Sequence, residues 1–176
     1  MIFFLALLVL TVLAWLAGRL GVVSLRQGRA CMRLALALAL MFFGADHLLV
    51  PERYLPMIES WLPHAELVVG LTGLCEIAGG LGLLIPRLRR AAGAALGVYF
   101  IAVFPANVHN ALQGLNVQGL PASDWYYWVR LGFQPLAVWW ALFCSGLIDW
   151  PRHHRPGSAT RTGAPCSLWW CPRCSP

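Results

Sequence analysis

The chain has 176 residues, of which 59% are hydrophobic and only 11% are charged, and its formal net charge is +6. A soluble globular domain carries about 25% charged residues, so the composition excludes a soluble protein and predicts an integral membrane protein. The positive charge comes from thirteen Arg and no Lys, and these Arg residues lie mostly in short connections between apolar runs. Because nucleic acid binds to a contiguous basic face, a nucleic-acid partner is also excluded.

Five apolar runs approach the length of about 20 residues that a spanning helix needs. In chain order they lie near residues 2–23, 34–50, 66–85, 91–112 and 127–147. They predict an all-α membrane protein, with a four-helix transmembrane bundle and one extra N-terminal transmembrane helix. By domain, we expect an anchor helix in residues 1–25, the membrane core in residues 26–150 and a disordered cytoplasmic tail in residues 151–176.

The first run can be interpreted as an anchor or as a secretory signal. A signal peptide has a basic start, a short apolar stretch and a small-residue cleavage site. This run is about twenty residues long, lacks a basic start and shows no clear cleavage site before Arg26. The pattern favours an anchor that is not cleaved.

The Arg residues predict the orientation of the chain. The connections after runs one and three, together with residues 148–161 after run five, contain nine Arg, whereas residues 51–65 and 113–126 contain only Arg53. Because Arg is retained on the cytoplasmic side, we expect the N-terminus outside and the C-terminus inside a bacterial cytoplasmic (inner) membrane. Small residues in runs three and four, such as Gly73, Gly79 and Gly93, predict close contacts between helices.

Polar side chains interrupt four of the apolar runs. Such groups are costly in hydrocarbon, so they usually face the interior of a bundle and have a partner or a function. The predicted ligand-binding cluster consists of His47, Glu76, Asn107, His109, Arg130 and Gln134. Glu76 is expected deepest, as the floor of a pocket in the outer half of the bundle. A polar network that only holds the helices together is the alternative, and no catalytic residue is assigned.

Residues 33–145 resemble the DoxX family of small bacterial membrane proteins. The matching stretches are residues 44–47, 61–63, 72–80, 82–86, 104–107 and 130–134. The resemblance implies a four-helix membrane core. It also implies a role in quinone-linked sulfur oxidation, in a redox-stress complex or in the assembly of membrane proteins. Leu48 and Gly132 depart from the family pattern, where Phe and Pro are common.

Cysteine placement argues against a membrane thiol oxidoreductase, which needs paired cysteines near the outer surface. Both outer loops lack Cys, and Cys75 and Cys144 are single residues within apolar runs. In the tail, Cys166, Cys171 and Cys174 can be incidental, bind metal with a histidine pair, or act as a dithiol. Zinc sites use four ligands, so the tail motif is a weak indication of metal, and we predict no metal site in the membrane core.

Three classes of function remain. The first is an accessory subunit of a quinone-linked redox system, with quinone as the possible cofactor. The second is a non-catalytic membrane scaffold or assembly factor, and the third is a carrier, for which Pro105 and Pro135 are the only signs of broken helices. No haem, flavin or metal motif is present, so a redox role requires a partner protein that carries the electrons. Whether the chain is an enzyme stays open, and the lipid bilayer is the other expected partner.

Overall fold

The computed structural model describes residues 2–60, 62–114 and 124–149, and these residues form helices and turns without any strand. The helices are α1 (Ile2–Arg19), α2 (Gly28–Leu49), α3 (Ala65–Leu84), α4 (Arg89–Ala102), α5 (Phe104–Gln113), α6 (Asp124–Gly132) and α7 (Gln134–Ser145). Short 3-10 turns at Val23–Leu25, Pro51–Arg53 and Leu55–Met57 connect α1 to α2 and α2 to α3. The prediction of an all-α membrane protein is confirmed.

Four helical stretches in the described part of the chain are long and apolar enough to cross a membrane. They are α1, α2, α3 and the stretch Arg89–Gln113, which combines α4 with α5. These stretches correspond to the first four predicted runs, and the protein is a multi-pass membrane protein. α2 begins at Gly28, six residues before the predicted start, because its first turns carry Arg29 and Arg33 and so lie outside the apolar run.

The fifth predicted run, near 127–147, is not among these four stretches, because it consists of the shorter helices α6 and α7. Pro135 has no N–H to donate, and the chain bends at Phe133, whose N–H donates to the carbonyl of Arg130 over 3.2 Å. α6 packs against α5, and α7 packs against α4 and α2. The two helices therefore run antiparallel to α4–α5 along the bundle, as a broken helix rather than a continuous one.

Glycine residues set the closest helix contact, between α2 and α3. A Cβ built on Gly44 would lie 2.7 Å from the carbonyl oxygen of Gly73, and a Cβ built on Gly73 would lie 2.7 Å from that of Gly44. At Gly80, a Cβ would lie 2.9 Å from the carbonyl oxygen of Ala37. Backbones can approach this closely only where side chains are absent, so the predicted role of the small residues in helix contacts is confirmed.

Two hydrophobic clusters occupy opposite ends of the bundle. The larger cluster, around Leu36, Leu83 and Trp140, lies towards the end at which α2 and α4 begin. The smaller cluster, around Met57 and Tyr127, lies at the end at which α2 ends and α3 begins. The polar groups treated below lie between the two clusters.

α1 has a mainly lipid-facing surface. Only Leu7 and Ala14 of this helix are buried, and apolar side chains such as Leu5 and Leu13 are exposed. Its first turn packs inward, with the ring of Phe3 centred 5.5 Å from the ring of Phe43. The predicted metal or dithiol motif in the tail, residues 151–176, lies outside the described residues.

Candidate ligand-binding site

A cavity of about 600 Å³ lies between the two hydrophobic clusters. Aromatic and aliphatic side chains from α1, α2, α4 and the 51–58 turn form most of its wall, including Phe3, Phe43, Phe100 and Ile58. Polar side chains from the six helices α2 to α7 and from the same turn also reach the wall. Cavities of this size with mostly apolar walls and a few convergent polar groups are typical of small-molecule sites.

The close contact of α2 with α3 brings His47 and Glu76 together in the wall of this cavity. A Cβ built on Gly73 would lie 2.9 Å from the Cβ of His47, and one built on Gly44 would lie 3.1 Å from the Cβ of Glu76. His47 and Glu76 therefore each lie opposite a glycine of the other helix. The distance from His47 Nδ1 to Glu76 Oε2 is 3.6 Å.

Glu76 is the most deeply placed acid of the described residues, with 8% of its surface exposed. The Tyr99 hydroxyl donates a hydrogen bond to Glu76 Oε1 over 2.8 Å. The other carboxylate oxygen, Oε2, is buried and has no hydrogen-bond partner. Native proteins satisfy the large majority of buried polar atoms, so this oxygen needs an explanation.

A turn from the α2–α3 connection covers the histidine. Tyr54 stacks on the His47 ring, with centroids 3.8 Å apart and planes inclined by 13°. Asp46 anchors this turn, because its carboxylate accepts hydrogen bonds from the Tyr54 hydroxyl over 2.6 Å and from Arg53 Nη1 over 2.7 Å. Burial, and then the Asp46 carboxylate, raise the pKa of Tyr54 well above its usual value, so its phenol stays protonated and donates.

Arg130 lies in the last turn of α6 and lines the cavity. The structure gives its guanidinium neither a hydrogen bond nor an ion pair within residues 2–60, 62–114 and 124–149. Arg130 and Glu76 attract each other electrostatically, but they do not approach to ion-pair distance. The cavity thus has an unpaired donor group and an unpaired acceptor atom in its wall.

Gln134 connects the two helix breaks. Its Nε2 donates to the carbonyl oxygen of Phe100 over 2.5 Å, and its Oε1 accepts from Asn107 Nδ2 over 3.3 Å. Phe100 lies in the last turn of α4, just before Pro105 interrupts the helical hydrogen bonding. Irregular backbone at membrane depth is tolerated where it is buried or lines a cavity, and both breaks lie beside the cavity.

Five of the six residues of the predicted cluster line the cavity: His47, Glu76, Asn107, Arg130 and Gln134. His109 does not line it. The ring nitrogen Nε2 of His109 lies 3.0 Å from the Ser60 hydroxyl, in the connection between α2 and α3. Two residues along a helix turn by about 200°, so Asn107 and His109 point to opposite sides of α5.

Sequence reasoning missed several polar residues of the wall, four of which form hydrogen bonds there. Tyr54 and Arg53 lie in the turn after α2, Tyr99 lies in an apolar helix, and Asp46 lies beside His47 near the end of α2. The signal for Tyr99 was a hydroxyl within an otherwise apolar stretch. Asn110 is also buried, with both side-chain polar atoms unpaired, but it lies outside the cavity wall.

The fold and the site define a helical multi-pass membrane protein with a polar cavity between its helices. The chain belongs to the family described as "Domain of unknown function (DUF8561)", whose sequence model matches residues 36–145. The resemblance to the DoxX family is therefore wrong: the apolar runs and glycine-rich stretches on which it rested are shared by many small membrane proteins. No curated protein and no solved structure matches the chain.

α1 and the first two turns of α2 lie outside the matched region. The first turn of α1 nevertheless supplies Ile2, Phe3 and Phe4 to the cavity wall. One side of the cavity is thus formed by a helix that the family model does not cover.

Proposed function

We propose that the protein binds the headgroup of a lipid-soluble quinone in this cavity and acts as an accessory membrane subunit of a redox system. The observation that carries the proposal is Glu76 Oε2, which has no hydrogen-bond partner, in a cavity wall that also contains Arg130, whose guanidinium has no hydrogen bond or ion pair with the residues described. A ligand with one donor and one acceptor would satisfy both groups.

The unpaired groups favour a ligand over a purely structural network. A polar network that only joins helices stabilises the fold when its members are satisfied, and an unpaired buried polar atom costs about 1–3 kcal/mol. Gln134 and Asn107 fit the structural role, since they bond to each other and to the backbone. Glu76 Oε2 and Arg130 do not, and both lie where a bound molecule would contact them.

The chemistry of the wall suits a quinone and its reduced form. Arg130 can donate to a ring carbonyl, and Glu76 Oε2 can accept from the hydroxyl of a quinol. The aromatic pair of His47 and Tyr54 offers an edge against which a flat ring can pack. The apolar remainder of the wall suits an isoprenoid or alkyl chain that enters from the bilayer.

Electron transfer in this proposal belongs to a partner protein. The apolar runs contain no motif for haem, flavin or metal, and groups of three or more His, Cys, Asp or Glu placed to hold a metal ion do not occur in the described ranges. The role of this chain is then to hold the quinone headgroup beside a partner that carries the redox centre.

The proposal places the Arg-rich end of the bundle, where α2 and α4 begin, in the cytoplasm of a bacterial inner membrane. This orientation is supported by the Arg residues, which are concentrated in every second connection when α6 and α7 together are counted as a fifth crossing of the membrane. Reporter fusions after residues 26, 60, 88 and 149 test it. We expect the reporters at 26, 88 and 149 to be in the cytoplasm and the reporter at 60 to be outside. If the reporters at 88 and 149 lie on the same side as the reporter at 60, the orientation is wrong.

The test of function is calorimetric titration of decylubiquinone into the protein in phosphatidylcholine nanodiscs. Glu76→Leu and Arg130→Met remove the polar groups while keeping similar volume, and a melting curve of each variant checks that it is folded before the titration. We expect saturable binding to the unchanged protein and at least about tenfold weaker binding to each variant, or about 1.4 kcal/mol.

His109→Ala is the matched control, because it removes a polar residue of the same bundle from outside the cavity wall. Its affinity should equal that of the unchanged protein. Absence of saturable binding, together with a loss of thermal stability in Glu76→Leu and Arg130→Met, would overturn the proposal. That result would instead favour a scaffold in which the polar cluster holds the helices together.

A further inference from the structure

A second cluster of charge lies at the opposite end of the bundle, where α2 and α4 begin. Arg29 and Arg33 occupy the first two turns of α2, and Arg89 begins α4. The starts of both helices pack on the end of α7: Trp140 Nε1 donates to the carbonyl oxygen of Met32 over 3.1 Å, and a Cβ built on Gly93 would lie 3.1 Å from the carbonyl oxygen of Ala141. The helix starts that carry the three guanidinium groups thus pack against the same end of α7.

The three guanidinium groups differ in how they are paired. Arg29 Nη2 donates to Asp149 Oδ1 over 2.5 Å and to the carbonyl oxygen of Ile148 over 3.2 Å, and its guanidinium lies 4.5 Å from the ring centroid of Phe143. Arg33 and Arg89 have no hydrogen bond or ion pair with any described residue. The Nε atom of each is buried and unpaired.

The Asp and Glu residues of the sequence lie elsewhere or are already bound. The chain contains seven Asp and Glu residues in all. Asp149 is bound to Arg29, and residues 151–176 contain neither Asp nor Glu. The other six acids, Asp46, Glu52, Glu59, Glu66, Glu76 and Asp124, lie from the middle of α3 to the opposite end of the bundle.

We propose that Arg33 and Arg89 bind the phosphate group of an anionic phospholipid beside the end of α7, where α2 and α4 begin. Guanidinium groups match phosphate oxygens with paired N–H donors, and basic pockets between transmembrane helices bind anionic headgroups. Exposed apolar residues at the end of α3 and in the turn before α4, namely Leu84, Ile85 and Leu88, offer adjacent surface for an acyl chain. The site is independent of the cavity and of the function proposed for it.

The test is native mass spectrometry of the delipidated full chain, offered phosphatidylglycerol, phosphatidylcholine or inorganic phosphate. Phosphatidylcholine has the phosphodiester without net negative charge, and inorganic phosphate has the anion without acyl chains. We expect one tightly retained phosphatidylglycerol, at least about tenfold preferred over phosphatidylcholine. Inorganic phosphate should neither be retained nor displace it.

Arg33→Gln and Arg89→Gln should each reduce retention of phosphatidylglycerol by about tenfold. Arg90→Gln is the matched control, because Arg90 is exposed and lies next to Arg89, and it should leave retention unchanged. An equal loss in all three variants, or no preference between the two lipids, would overturn the site. If inorganic phosphate is retained and both lipids are retained equally, the anion bound by Arg33 and Arg89 is free phosphate and not a phospholipid headgroup.

Discussion

Glu76 Oε2 lies 3.6 Å from His47 Nδ1 and is not hydrogen-bonded to it. The reason is that Nδ1 lies 2.7 Å from the carbonyl oxygen of Phe43, one turn earlier on α2. A carbonyl can only accept, so the Nδ1 hydrogen points to Phe43 and away from Glu76. The backbone of α2 thus holds the histidine ring and leaves one carboxylate oxygen available at the cavity wall.

The first prediction concerns the glycine contact that brings His47 and Glu76 together. In Gly73→Ala, the new Cβ would meet the Gly44 carbonyl at 2.7 Å and the Cβ of His47 at 2.9 Å, so α2 and α3 must separate. We expect a loss of about 1–3 kcal/mol, typical of overpacking, in thermal or SDS unfolding of the purified protein.

Gly70→Ala is the control for this change, since Gly70 lies one turn earlier on α3 and has no atom within 4 Å of an added Cβ. Alanine is favoured over glycine in a helix by about 1 kcal/mol, so this variant should be as stable as the unchanged protein or more stable. Equal destabilisation by both substitutions would contradict the close contact.

The second prediction concerns Gln134, which joins the two helix breaks. Gln134→Leu removes the donor to the Phe100 carbonyl and the acceptor for Asn107, which leaves two buried groups unpaired. The expected loss of unfolding free energy is about 1–3 kcal/mol. The same substitution at exposed Gln113 should stay within about 0.5 kcal/mol of the unchanged protein. If both variants unfold alike, the bridge has no structural role.

The third prediction concerns the turn that covers His47. Asp46→Asn weakens the hydrogen bonds from Arg53 and Tyr54, and a hydrogen bond to a charged group contributes about 1.5–3 kcal/mol. Amide exchange in residues 51–58, followed by mass spectrometry, should accelerate by roughly tenfold. Exchange within α2 and α3 should not change.

Glu52→Gln tests whether charge alone explains such an effect. Glu52 lies in the same turn, is exposed and has no hydrogen bond or ion pair with the described residues. The amide exchange rates of residues 51–58 in Glu52→Gln should equal those of the unchanged protein. Unchanged exchange in Asp46→Asn would show that the turn is held by its apolar contacts instead.

The cost of polar groups in hydrocarbon is what allowed five polar residues that line the cavity to be singled out from the sequence. That cost applies to a residue type in an apolar run, so His47, Glu76 and Arg130 stand out without any structure. It does not tell where the chain runs after the end of a helix, or which side chains that connection brings to the helix. Asp46 illustrates the limit, because the chain turns back after Leu49 and brings Arg53 and Tyr54 onto it.

Helix breaks set the other limit of prediction. Pro105 and Pro135 indicated where helices could be interrupted, but not that the two breaks face each other and share Gln134. The apolar run near 127–147 was predicted as one span, whereas the structure has two shorter helices there, α6 and α7, which pack against α5, α4 and α2. Tyr99 was missed because a tyrosine in a membrane helix is ordinary, and only its contact with Glu76 gives it a role.

The most direct measurement of the central claim, a quinone site at Glu76 and Arg130, is photoaffinity labelling with an azidoquinone in nanodiscs, followed by peptide mapping. The account predicts labels on residues of the cavity wall in α3, α6 and the 51–58 turn, and suppression of these labels by excess decylubiquinone. Labels spread over the lipid-facing side of α1, at Leu5 and Leu13, with no suppression by decylubiquinone would contradict it.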